Sequence, residues 1–266
     1  MSSTPDLEPG TQASVRALTR AFQILRILAL EQERGMRLID VVRHSQLSRP
    51  TVHRLLQSLI DENAVEQDHA TRRYRIGPEI PLLALARPSK SVLRKVAEPY
   101  LQYLGDQLGD TVFLTIRSGC DSICLDRRMG SFPVKVMSID VGTRRPLGVG
   151  VAGIMLLAAL TEDEVEHILE LNAVRLATLE LDISQIKYRV EKARELGYAY
   201  TSKGVTPGTS ALSVPVYGEK KEIIAALSVA AVSGNLLPET ASSVADTLRV
   251  QAVALSKRLS DLRGST

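Results

Sequence analysis

Apolar residues in the first third of the chain recur at three- and four-residue intervals. Leu18, Phe22, Leu25 and Leu28 predict an amphipathic helix over residues 15–31, ended by Arg34-Gly35. Leu38, Val41 and Val42 mark a short second helix that closes at Leu47. A third begins at Ser48, a residue type that caps helix N-termini, with Pro50 in the first turn, where its missing N–H costs nothing. Its apolar residues Val52, Leu55, Leu56, Leu59 and Ile60 form a full core stripe. Residues 64–67 and 73–76 then flank a polar turn at 68–71 and predict a two-stranded hairpin. Helix, tight turn, amphipathic helix and hairpin make up the layout of a winged helix-turn-helix.

Beyond it the pattern changes. Pro78, Pro81 and Pro88 bracket the apolar run 82–86, which reads as a boundary holding two helical turns. Leu93, Val96, Ala97, Leu101, Leu104 and Leu108 define a helix ending at Gly109. Strand-like segments follow at 111–117, 122–126 and 134–140. After Gly150 come an apolar helix around 154–160, a second with Thr161 and Glu164 as a capping box, and a third over 184–196 stopped by Gly197. Three more strands fit 198–203, 210–217 and 223–232, and a last helix runs from about Glu239 through Leu262. Runs of strands separated by helices predict an α+β domain around an antiparallel sheet. The chain thus reads as a disordered polar tail (1–14), a winged helix-turn-helix (15–77), a linker (78–90) and an α+β domain (91–266).

Charge sharpens the reading of the first domain. Residues 15–77 hold 11 Arg, no Lys and 7 acids, although the whole chain is only +3. The planar guanidinium suits phosphates and guanine edges, but a codon bias would give the same count. Opposite the core stripe of the third helix, Thr51, Arg54 and Ser58 make one row, with His53 and Gln57 beside it and Ser48 and Arg49 at the helix start. These side chains can read base edges from the N-terminal part of a recognition helix. Arg72, Arg73 and Arg75 crowd the hairpin tip, which suits phosphate or minor-groove contact. A solvated helix face would carry similar residues; the hairpin arginines favour double-stranded DNA.

Other chemistry has less to stand on. Only 4% of residues are aromatic, with no Trp, so stacking platforms for single strands are not expected. Two Cys exclude a disulfide framework and fit a reducing compartment. The longest uncharged stretches, 146–161 and 223–238, are 16 residues each, short of a membrane span, and the N-terminal residues lack the apolar core of a signal peptide, so a cytoplasmic protein is expected. Cys120 and Cys124 leave a thiol enzyme or redox sensor open; ordinary small hydrophobes in a sheet are the plainer reading. The four His are scattered, and residues 204–213, though rich in Gly, Ser and Thr, lack a P-loop ending. No catalytic residue, metal or cofactor is expected.

Several segments carry a resemblance. The run from Leu47 to Leu56 (LSRPTVHRLL) looks like the recognition-helix segment of the isocitrate-lyase-regulator (IclR) family of bacterial transcription factors. Arg73-Tyr74-Arg75-Ile76-Gly77-Pro78 resembles its wing exit. Gly142-Thr143-Arg144-Arg145-Pro146-Leu147, Leu196-Gly197-Tyr198-Ala199, Val214-Pro215-Val216-Tyr217 and Ala226-Leu227-Ser228-Val229 continue it in order to about residue 260. The resemblance implies a winged helix joined to a GAF-like sensor domain, and a homodimer or dimer of dimers. It also implies a pseudo-palindromic operator and a small-molecule effector. The positions matching the family's effector pocket are Val151, Ala152, Thr201, Ala211 and Ser228. Only Thr201 and Ser228 can hydrogen-bond through a side chain, so a weakly polar or aromatic effector is expected. The chain departs from the family pattern at Gly148 (usually His), Ile154 (usually Lys), Gly204 (usually Glu) and Ala211 (often Cys). Those departures leave a second option, a sensor that no longer responds. An architectural DNA-binding protein without sequence preference is the remaining alternative.

Overall fold

The computed structural model, which describes residues 9–31, 34–85, 88–137 and 139–263, folds the chain as two units, Met1–Pro88 and Ser89–Thr266. In the first, α1 (Pro9–Leu28), α2 (Leu38–Ser45) and α3 (Arg49–Asp61) pack around Ile24, Leu28, Val41, Val52 and Leu56. The strands β1 (Val65–Gln67) and β2 (Tyr74–Ile76) pair antiparallel as the expected wing, with Val65 opposite Ile76. Tyr74 also exchanges backbone hydrogen bonds with Met36 (3.0 and 2.7 Å), which ties the wing to the chain entering α2. The short helix α4 (Glu79–Leu85) follows.

The N-terminal tail was expected to reach residue 14. Its residues 1–8 lie outside those described, and residues 9–14 are helical. They carry no apolar periodicity, so the pattern gave no sign of helix. A proline at the first helical position nevertheless forgoes nothing, because its N–H would have had no partner there.

The second unit is built on a six-stranded antiparallel sheet of order β5-β4-β3-β8-β7-β6. Its strands are β3 (Thr111–Ser118), β4 (Asp121–Arg128), β5 (Arg144–Pro146), β6 (Ala199–Thr201), β7 (Thr209–Tyr217) and β8 (Ile223–Val232). One face is covered by α5 (Pro88–Leu108) and α9 (Ala241–Arg263). There Leu101, Leu104, Leu248 and Leu255 pack on Val112, Leu114, Val214 and Leu227. The other face carries α6 (Gly150–Ala158), α7 (Glu162–Thr178) and α8 (Ile183–Leu196) around Leu147, Ile154, Leu169 and Ile186. The capping box is formed as expected: Glu164 N–H donates to Thr161 Oγ1 (3.3 Å) and Thr161 N–H to Glu164 Oε2 (3.0 Å). Gly197 ends α8.

The strand expected at 134–140 is not there. None of the described residues in that stretch is in a strand, and the strand beside β4 is residues 144–146 instead. The apolar residues of that stretch have another use. Val136 is buried against Phe113, Cys124 and Ala230, while Val134 and Met137 stay exposed.

Asp110, between α5 and β3, is buried, and this pushes its carboxyl up to about 6 against a hydrogen bond from Asn235. The folded state then holds a proton that the unfolded state gives up near pH 4. Stability therefore falls as pH rises from about 4 to about 6 and is flat above, by at most about 3 kcal/mol. Asp110→Asn is expected to remove that slope; denaturation midpoints of the two proteins that run parallel across this window would contradict it.

Candidate DNA interface and sensor cavity

Helix α3 turns Val52 and Leu56 into the core of the first unit and leaves Arg49, His53, Arg54, Gln57 and Ser58 exposed on its other side. Thr51 is half-buried. Ser48 holds the N-cap position, but its hydroxyl makes no capping bond; it pairs with Thr51 Oγ1 at 2.8 Å. Gln57 Nε2 donates to Asp61 Oδ1 (3.2 Å) and Ser58 Oγ to the Arg54 carbonyl (3.2 Å). Arg49, His53 and Arg54 are thus the large exposed groups of the row.

The wing arginines separate into two kinds. Asp68 Oδ1 accepts N–H bonds from Ala70 (2.9 Å) and Thr71 (2.8 Å), which close the hairpin turn and hold its carboxyl below its usual range. Arg72 follows in a left-handed conformation (φ +58°) and is exposed. Arg73 instead donates through Nη1 to the Gly35 carbonyl (2.7 Å), and the stem of Arg75 lies against Gly35. Both brace the wing against the chain entering α2. A cleft between α3 and the wing is lined by Arg37, Arg49, His53, Gln67 and Arg72. Arg37 did not emerge from the sequence; its only signal there is its place just before the second helix.

In the second unit a cavity enclosing about 660 Å³, part of it open to solvent, lies on the sheet face that carries α6. All five positions implied by the resemblance line it: Val151, Ala152, Thr201, Ala211 and Ser228. Thr115, Ser122, Thr143 and Arg145 also line it, so polar groups that the five do not include accompany a lining that is mostly apolar. Burial lowers the Arg145 pKa from its ordinary value but leaves the guanidinium charged at neutral pH. Arg145 could not be assigned from sequence because only the register of β5 against β4 (Arg145 opposite Ser122) shows where it falls.

Three of the four departures from the expected pattern have local reasons. Gly148 sits at φ +102°, where a side chain would also press on Ile186. At Gly204 a side chain would run into Thr209, whose carbonyl accepts the Gly204 N–H (2.6 Å). Ile154 is fully buried in the α6 core.

Cys124 lines the cavity too, and its thiol donates to the Asp126 carbonyl (3.5 Å). Burial pushes that thiol up to about 12, so it is not a thiolate nucleophile at neutral pH. Cys120 and Cys124 are both free. Among the described residues no group of three or more His, Cys, Asp or Glu is placed to hold a metal, and no helix is long and apolar enough to cross a membrane.

Comparison with known proteins covers both units. Residues 17–69 match the family model described as the IclR helix-turn-helix domain, and residues 88–257 match that of the bacterial transcriptional regulator IclR C-terminal region. The HTH-type transcriptional regulator XynR of Escherichia coli is 26% identical over 92% of this chain and 97% of its own. A putative regulator from Silicibacter superposes with a TM-score of 0.72 at 22% identity, covering 91% of this chain and 96% of its own. A homologue from Microbacterium hydrocarbonoxydans, complexed with 4-hydroxybenzoate, superposes with a TM-score of 0.71 at 20% identity, covering 92% and 99%.

Proposed function

The chain belongs to the IclR family of bacterial transcriptional regulators, and from that premise we propose that it binds an operator sequence-specifically, with an affinity set by a small organic molecule in the cavity of the second unit. The observation that carries the reading is the exposed row Arg49, His53 and Arg54 beside a wing that presents Arg72 across a cleft. Residues 15–77 read DNA and residues 91–266 sense the effector. Arg49, Thr51, His53, Arg54, Gln57 and Ser58 face the major groove, with Ser48 at its edge, and Arg72 and Arg37 hold phosphates. Arg73 and Arg75 keep the wing in place and add positive charge. A pseudo-palindromic operator needs two linked winged helices, so the working unit is a homodimer or a dimer of dimers acting in the cytoplasm. The effector biases the placement of the paired winged helices and so changes operator affinity. The Microbacterium homologue's 4-hydroxybenzoate supports an organic acid in the cavity.

A salt titration of DNA binding tests the division of roles. Arg72→Ala is expected to weaken operator and unrelated duplexes alike, and to reduce the slope of log affinity on log salt by about 1. A loss confined to the operator, with the slope unchanged, would contradict the phosphate role.

A further inference from the structure

Helix α9 meets the sheet along one side, where Ala245, Leu248, Ala252 and Leu255 are buried. Both its flanks are engaged as well. Tyr100 Oη on α5 donates to the Ala254 carbonyl (3.4 Å), and on the opposite flank Arg249 Nη2 donates to the Leu196 carbonyl (2.8 Å). The row that points away from the sheet is Asp246, Val250, Val253 and Lys257. Its spacing of four, three and four residues is that of a coiled-coil seam. Val250 is 64% exposed and Val253 66%. An isolated apolar residue on a surface needs no explanation. Here two valines, poor helix formers that gain nothing from burial in the single chain, stand together at the centre of an outward row with a charge of opposite sign at each end.

The row is self-complementary. Its valines and its two charged residues share one midpoint, between Gln251 and Ala252. A two-fold axis through that point lays a second copy of α9 antiparallel on the first. Val250 then meets Val253 of the copy and Asp246 meets its Lys257, each contact being made twice. The charged residues lie about 8 Å from the axis along the helix, so a crossing angle of about 20° parts them by only about 3 Å, within the reach of a lysine stem. A parallel pairing would instead set Asp246 on Asp246 and Lys257 on Lys257, which repel. Asp246 already accepts from Arg249 Nη1 (2.6 Å), but a carboxylate has room for another donor. Among the described residues Lys257 has no ion pair.

We propose that the outward face of α9 is a contact between two copies of this chain, packed antiparallel about a two-fold axis, with the valines at its centre and Asp246–Lys257 pairs at both ends. The proposal deepens the reading of the chain as a homo-oligomeric regulator by giving that association a surface, and it does not depend on DNA.

Sedimentation velocity on the full chain at about 50 mM salt, where exposed charges are little screened, tests it without DNA. The wild type is expected to self-associate at about 10 μM. Asp246→Lys and Lys257→Asp, each of which sets like charges together at both ends, should weaken that association at least about tenfold. An equimolar mixture of the two variants should recover it to within a few-fold of wild type, because every end of the mixed pair joins a lysine to an aspartate. Val253→Glu should weaken association without recovery in any mixture. Where the chain associates in two steps, these substitutions should remove one and leave the other. A wild type that stays monomeric at about 10 μM, or an association that none of the substitutions weakens, would overturn the proposal. So would a mixture no tighter than either variant alone, which would mean that something other than a second α9 covers the row. Failure here leaves operator recognition standing, whereas intact α9 pairing in a chain that shows no operator preference would contradict the regulator reading alone.

Discussion

Replacing Arg54 with alanine is expected to cost about 1–3 kcal/mol of operator affinity, roughly 5- to 150-fold, while leaving binding to unrelated duplexes almost unchanged. Arg54 is exposed on α3, five residues from Arg49 at the helix start, on the side away from Val52 and Leu56. A guanidinium there can meet guanine O6 and N7 with two parallel hydrogen bonds, which no other base pair accepts in the same geometry. Arg54→Lys keeps the charge but loses the fork, so it should fall near alanine in discrimination and near wild type in salt dependence. Competition between operator and shuffled duplex measures both at once. Unchanged discrimination in Arg54→Ala would remove this residue from base readout.

Leu56→Ala should abolish DNA binding by a different route. Leu56 is 1% exposed and packs with Ile24, Leu28, Val41 and Val52, where α1, α2 and α3 meet. Truncating a buried leucine costs about 2–5 kcal/mol, the transfer term plus the cavity left behind. A core this small stabilises its unit by only about 3–5 kcal/mol, so the loss is comparable with the whole. Hydrogen exchange read segment by segment should show protection lost over residues 16–76 and kept over β3, β7 and β8. Equal loss in both units would mean that the chain unfolds as one body.

The first unit was largely legible because its periodicities are local. The stripe of α3 and the apolar pairs of α2 each repeat within one helix, and the capping box of α7 is written in two residues three apart. What stayed hidden depends on distant partners. β5 is three residues, Arg-Arg-Pro, with no strand propensity of its own; pairing with β4 makes it a strand. Arg145 reaches the cavity lining only through that pairing, ten residues beyond the start of the expected strand, so it does not emerge from the sequence. The wing arginines show the same limit. Arg72, Arg73 and Arg75 are alike in sequence, but the fold turns Arg72 outward and ties Arg73 to Gly35. Thr115 looked like an ordinary strand threonine until β3 placed it, buried, in the cavity wall.

The central claim is that the first unit reads a defined DNA sequence under the control of the second. A genomic-fragment binding selection with the purified chain at near-physiological salt tests it most directly, run with and without organic acids. Recovery of a short inverted repeat whose retention changes when an acid is added is the predicted result, and the genes beside it would name the effector's chemical class. Recovery of unrelated fragments, with no shared sequence and no response to any acid, would contradict the account and leave a non-specific DNA-binding protein.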